Sequence, residues 1–206
     1  MKPHFLTFTG IDADTDLDRV HDLSRRYPLE WGVLFSPDRQ GKESRYPTMD
    51  VIDQFREVPV VKSAHLCGGY SKMIMANAPI PLDLLRFTRV QVNSRKPDPA
   101  RIARFAAGRL LTGIMQTREL KFPEDEGVAI LFDRSGGFGR PPEAWPKHPG
   151  NRLVGYAGGI SPDNINKVLA DVDSSGPYWL DMESGIRTND KLDLDKCEAV
   201  ARAVYG

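Results

Sequence analysis

Cysteine is scarce in this chain. Cys67 and Cys197 are its only two, and their wide separation excludes a disulfide framework or a thiolate zinc site and fits reduced thiols in a cytosolic protein. Neither sign of charge is in excess: 28 Lys plus Arg balance 28 Asp plus Glu. No basic arm or stripe therefore advertises nucleic acid or an anionic membrane. No apolar run approaches the roughly 18 residues of a membrane span, and the amino-terminal MKPHFLTFTG lacks a secretory apolar segment. No low-complexity linker divides the 206 residues, so one domain over residues 1–206 is expected. These absences describe a cytoplasmic protein with a small-molecule partner, no nucleic acid and no membrane; self-association is not legible. Neither a metal nor a cofactor is called for.

What the chain does contain is alternation. Short apolar runs are expected as strands at 4–9, 31–36, 58–66, 89–93, 113–117, 128–133, 153–157 and 179–183. Amphipathic stretches lie between them. DTDLDRVHDLSRRYP carries an apolar stripe at Leu17, Val20 and Leu23 and stops at Pro28. TMDVIDQFREV starts at a Thr48 cap, DPARIARFAAGRLL at Asp98 and Pro99, SPDNINKVLADV at Ser161 and Pro162, and LDLDKCEAVARAVYG closes the series. After the fifth and sixth strands, FPEDEG and GRPPEAW are too short or too proline-broken for full helices. The pattern predicts an α/β protein built as a compact (β/α)8 TIM barrel with eight parallel strands. An open doubly wound sheet is the competitor, weakened because no dinucleotide fingerprint follows the first strand.

In a barrel, alternate residues point inward and reacting groups sit at the carboxyl ends of the strands. Parity then puts Thr7 and Thr9, Gln91 and Asn93, Gln116 and Arg118, Leu131 and Asp133, and Asp181 and Glu183 on the inner face. Strand 3 has no clear parity, which leaves the facing of His65 open. So many polar groups on one rim imply a site, because a buried polar group costs a few kcal/mol unless it is paired. GYAGGISPDN at 155–164 adds a strand, two glycines and a helix start, a grammar whose free N–H groups hold an anion or merely turn the chain.

Four segments carry a family resemblance: WGVLFSP with ESRYP, AILFDRSGGFGRPPEAW, GYAGGISPDN and WLDMESGIRTND. In that order they resemble phosphoribosylanthranilate isomerase, a ribulose-phosphate-binding barrel, over essentially the whole chain. The resemblance implies an Amadori-type isomerisation of a phosphorylated small molecule. It places the phosphate at Gly158, Gly159, Ser184 and Gly185, the general acid at Asp133, and Arg45 on an aromatic carboxylate. Gln91, Asn93, Arg118, Asp181 and Glu183 complete the substrate-binding set.

The chain departs from the family at the base. Thr9 stands where the family has its catalytic cysteine, and a hydroxyl is far too weak an acid to replace a thiolate unaided. Replacement bases to weigh are His65 with Cys67, where an imidazole could lower a thiol pKa, and Glu183. Structural alternatives are a scaffold His65, a buried inert Cys67, an Asp133 paired with Arg134 or Arg140, an Asp181–Arg118 salt bridge and an Arg45–Glu43 pair. Two other functions stay open: a non-catalytic phosphate-ligand-binding barrel, and a different lyase or hydrolase on the same scaffold.

Overall fold

Eight parallel strands close on themselves in sequence order, β1 through β8, with β8 returning to pair with β1. The computed structural model describes residues 1–125, 127–135, 139–150 and 152–206. The strands are β1 (Leu6–Thr9), β2 (Leu29–Phe35), β3 (Val61–Leu66), β4 (Arg89–Val92), β5 (Thr112–Thr117), β6 (Ala129–Asp133), β7 (Val154–Ala157) and β8 (Tyr178–Met182). The expected (β/α)8 barrel is therefore the fold, and all eight expected strands are present. Among the described residues no helix is long and apolar enough to cross a membrane.

The helices begin where cap chemistry lets them. In α1 (Leu17–Arg26) Asp16 accepts from the Arg19 N–H at 3.0 Å, and in α4 (Pro99–Ala107) Asp98 accepts from Arg101 at 3.1 Å. Thr48 caps α2 (Met49–Glu57), and Asp193 accepts two N–H groups at the start of α6 (Leu194–Tyr205). Each such cap is worth about 1 kcal/mol. A further helix, α3 (Gly69–Met75), was not anticipated from the sequence because it opens on two glycines. Gly68 sits at φ +57° next to Ser36, a backbone state that disfavours a side chain.

The stretch after β7 departs from expectation. Ser161 does not cap a helix: residues 161–164 form a turn in which Asn164 Oδ1 accepts the Ser161 N–H at 2.9 Å, and α5 (Ile165–Asp171) starts only afterwards. Among the described residues no helix follows β5 or β6, as the broken patterns there suggest. Trp145 fills the space beyond β6 instead, edge-on to Phe132 and Tyr156.

Two cores result. Outward strand residues such as Phe8, Trp31, Val33 and Phe132 pack beneath the helices, while Ile114, Leu131, Ala157 and Trp179 fill the barrel. Beside that inner plug, at the amino-terminal end, Arg89 Nη1 lies 3.0 Å from Glu30 Oε1 and stacks over Trp179 and Phe5. Thr7 donates to the same carboxylate. This floor closes the barrel from below, so its polar interior opens only at the carboxyl ends of the strands.

Candidate active site

A cavity of about 770 Å³ occupies that open end. Its floor is the top inward layer of the barrel. The register aligns Asp133 on β6 with Ala157 on β7, and Ala157 with Asp181 on β8. The two residues thus lie two strands apart on the inner face, about 9–10 Å between backbones along the sheet. Parity had placed both facing inward, and both line the cavity.

Their surroundings differ. Asp181 is buried and accepts one hydrogen bond, from Thr9 Oγ1 at 3.0 Å. Burial pushes its carboxyl well above the usual carboxylate range; the Thr9 hydrogen bond opposes this, and the charges of Glu30, Asp133 and Glu183 add to it. The alternative of a salt bridge to Arg118 is not realised, since Arg118 stands exposed at the rim. Asp133 is half-buried, and its oxygens accept from Ser135 N–H at 2.9 Å, Ser135 Oγ at 2.6 Å and Gln116 Nε2 at 3.3 Å. Neither Arg134 nor Arg140 forms an ion pair with it.

His65 and Cys67 both line the cavity, which settles the facing of β3, but they do not form the expected pair. His65 Nε2 is 3.0 Å from Ser63 Oγ, and burial, helped by Arg89, lowers its pKa to about 3. Cys67 receives a hydrogen bond from Asn93 Nδ2 at 3.2 Å and contacts the Tyr46 hydroxyl, while burial pushes the thiol up rather than down. Burial makes the imidazole a poor proton acceptor and keeps the sulfur protonated, so neither serves as a base near neutrality. Asn93 Oδ1 in turn accepts from Gln91 Nε2, leaving the buried Gln91 Oε1 without a partner.

Arg45 does not pair with Glu43. Its Nη1 lies 2.8 Å from Glu183 Oε1 and its Nη2 2.9 Å from Asp190 Oδ1. Glu183 is pushed up by burial, with Arg45 and Arg187 opposing. Arg187 is a buried strap with no local sequence signal: it donates to Gly10 O at 2.7 Å and Asp12 Oδ2 at 3.0 Å, tying the β8 loop to the β1 loop. Tyr46 was likewise missed, its aromatic ring hidden within a loop motif.

Gly158 (φ +125°) and Gly159 (φ +62°) follow β7, and a 3-10 turn, Ser184–Ile186, follows Glu183. Among the described residues the N–H groups of Gly158, Gly159, Ser184 and Gly185 donate to no acceptor of the chain, and all four residues line the cavity. The glycines also serve packing, since a Cβ on Gly159 would lie 2.5 Å from Pro141 N and 2.8 Å from Gly139 O. Of the Gly-Gly-x-Gly loop after β6, Gly136 and Gly137 lie outside the described residues.

Comparison with known proteins places this geometry. Residues 124–203 match the family model for N-(5'phosphoribosyl)anthranilate (PRA) isomerase; that span holds three of the four resembling segments and leaves out WGVLFSP with ESRYP. No curated protein matches the chain in sequence. The phosphoribosyl anthranilate isomerase of Thermococcus kodakaraensis is similar in structure, with TM-score 0.64, 16% identity, and 98% of this chain and 99% of that one covered. That of Thermotoga maritima gives 0.62 at 18% identity, covering 99% and 98%. A third, in complex with reduced 1-(o-carboxyphenylamino)-1-deoxyribulose 5-phosphate, gives 0.61 at 17% identity, covering 98% and 97%. The chain thus shares the (β/α)8 fold of these isomerases, and the match to their family model is confined to its last three strands and the segments around them.

Proposed function

We propose that this barrel is an acid–base isomerase that converts a phosphorylated aldosylamine into a 1-amino-1-deoxyketose phosphate. The carrying observation is that Asp133 and Asp181 line one cavity, beside four amides that among the described residues have no acceptor. Turn amides on two adjacent strand ends are a usual phosphate cradle in barrels. The phosphorylated ligand held by a solved relative of the same fold supports the same reading.

Two carboxyl groups in unlike surroundings can divide acid and base work between them. Asp181, kept protonated by burial, gives its proton to the ring oxygen as the C1–O bond breaks and the nitrogen lone pair forms C1=N. Asp133, whose oxygens only accept, takes the C2 proton, and the C–H electrons become the C1=C2 bond of an enolamine. Return of that proton from Asp133 to C1, as the C2 hydroxyl loses its proton and becomes the carbonyl, completes the ketose, and the hydroxyl proton restores Asp181. Roles are thus the reverse of those implied by the resemblance, which made Asp133 the acid. Thr9 is a positioning residue that orients Asp181, so the missing thiol need not be replaced at its own place.

The reaction is read by incubating the 1-phenylamino-1-deoxyribulose 5-phosphates, with and without an ortho-carboxylate, in deuterium oxide. Loss of the C1 proton signal, abolished in Asp133→Asn, is the expected result. Binding without exchange in either compound would instead make the chain a phosphate-ligand-binding barrel.

A further inference from the structure

Arg45, a half-buried cation lining the cavity, is already used. Both ends of the Arg45 guanidinium are taken, Nη1 by Glu183 at 2.8 Å and Nη2 by Asp190 at 2.9 Å. Asp190 is itself fixed by Ser44. A ligand carboxylate needs that fork bidentately to repay its lost water. To obtain it, the ligand would have to displace Glu183 and then lie among Glu183, Asp133 and Asp181. The other inner groups offer little compensation: Gln91 presents an unpartnered acceptor, His65 is neutral, and the Arg39 guanidinium stacks over Tyr46. Lys72 is exposed on α3, and Arg95, Lys96 and Arg118 are exposed on the loops after β4 and β5. They therefore do not supply an inner anion site.

Resting on the sugar-phosphate reading above, we infer that the ligand's amine substituent carries no carboxylate and that Glu183 enforces this as a built-in counter-anion for Arg45. Glu183 is thus a specificity-determining residue. The same pairing answers how a carboxylate can stand next to a phosphate cradle: its charge is spent on Arg45, with Arg187 behind it. The substituent that fits is uncharged or cationic, and donates rather than accepts hydrogen bonds.

The test compares calorimetric titrations of reduced 1-(o-carboxyphenylamino)-1-deoxyribulose 5-phosphate and its carboxylate-free phenylamino counterpart, with ribulose 5-phosphate as the phosphate control. The wild type is expected to bind the carboxylate-free compound about tenfold or more tightly, one like-charge contact being worth at least a factor of ten in a half-buried site. In Glu183→Ser, which frees one end of the Arg45 fork, that preference shrinks or reverses; Glu183→Gln gives the same direction if the serine variant does not fold. Equal or tighter binding of the carboxylated compound by the wild type overturns the inference, as does a preference untouched in both variants. Binding of ribulose 5-phosphate alone overturns it too. If none of the three compounds binds, the sugar-phosphate reading itself falls.

Discussion

Replacing His65 by glutamine isolates the acid sensitivity that this site builds into the fold. His65 is buried against Ser63 and near Arg89, and its pKa drops from 6.5 to about 3 in the folded state. A lowered histidine pKa means that the unfolded chain binds the extra proton first. Stability from the neutral ring is therefore complete above pH 6.5 and is lost as pH falls from there towards 3. At about 1.4 kcal/mol per pH unit, the wild type should lose on the order of 3 kcal/mol between pH 7.5 and pH 4.5 through this one group. For a chain of this size that is roughly 5–10 °C in Tm. Glutamine keeps a hydrogen-bonding partner for Ser63 and does not titrate. Urea unfolding of both proteins at pH 7.5 and 4.5 measures the difference of differences, which cancels the cost of the substitution itself. Curves that fall in parallel would mean that the folded imidazole takes a proton as readily as the unfolded one, refuting the burial argument.

Three other outcomes follow from particular contacts. Arg89→Met strands Glu30 at the closed end of the barrel and should cost about 3–5 kcal/mol in urea unfolding, much of it recovered by adding Glu30→Gln; no recovery would show that Arg89 acts through its stacking instead. Gly159→Ala forces a side chain at φ +62° onto Pro141 and Gly139, so a loss of about 1–3 kcal/mol is expected together with weaker ribulose 5-phosphate binding. Cys67, its thiol pushed up by burial, should resist iodoacetamide at pH 8 in the native protein and react only in urea, as read by mass spectrometry; rapid native modification would contradict its protonated, packed state.

Most of the barrel was legible because its signals are local. Period-two parity on β1, β4, β6 and β8 assigns Thr9, Gln91, Asp133 and Asp181 to the inner face, and the mouth follows from chain direction. What escaped depends on partners distant in sequence or on side chains competing with a helix cap. Asn164 captures the Ser161 N–H, so Ser-Pro-Asp-Asn becomes a turn where the same letters suggest a helix start. Arg45 sits two residues from Glu43 but bonds to Glu183, 138 positions away, because barrel closure brings the β2 and β8 loops together. The Glu30–Arg89 floor likewise needs the register of three strands. His65 and Cys67 do share a face, as i and i+2 on a strand must, yet each finds a nearer partner in Ser63 or Asn93. Composition says nothing of that competition.

The central claim is that a phosphate dianion sits on the amides of two neighbouring turns, and backbone amide resonances report it directly. Titrating ribulose 5-phosphate into 15N-labelled protein should move the Gly158, Gly159, Ser184 and Gly185 N–H signals downfield and saturate, while ribulose leaves them in place. If those four resonances hold still as the phosphate ester binds elsewhere or not at all, the account is wrong.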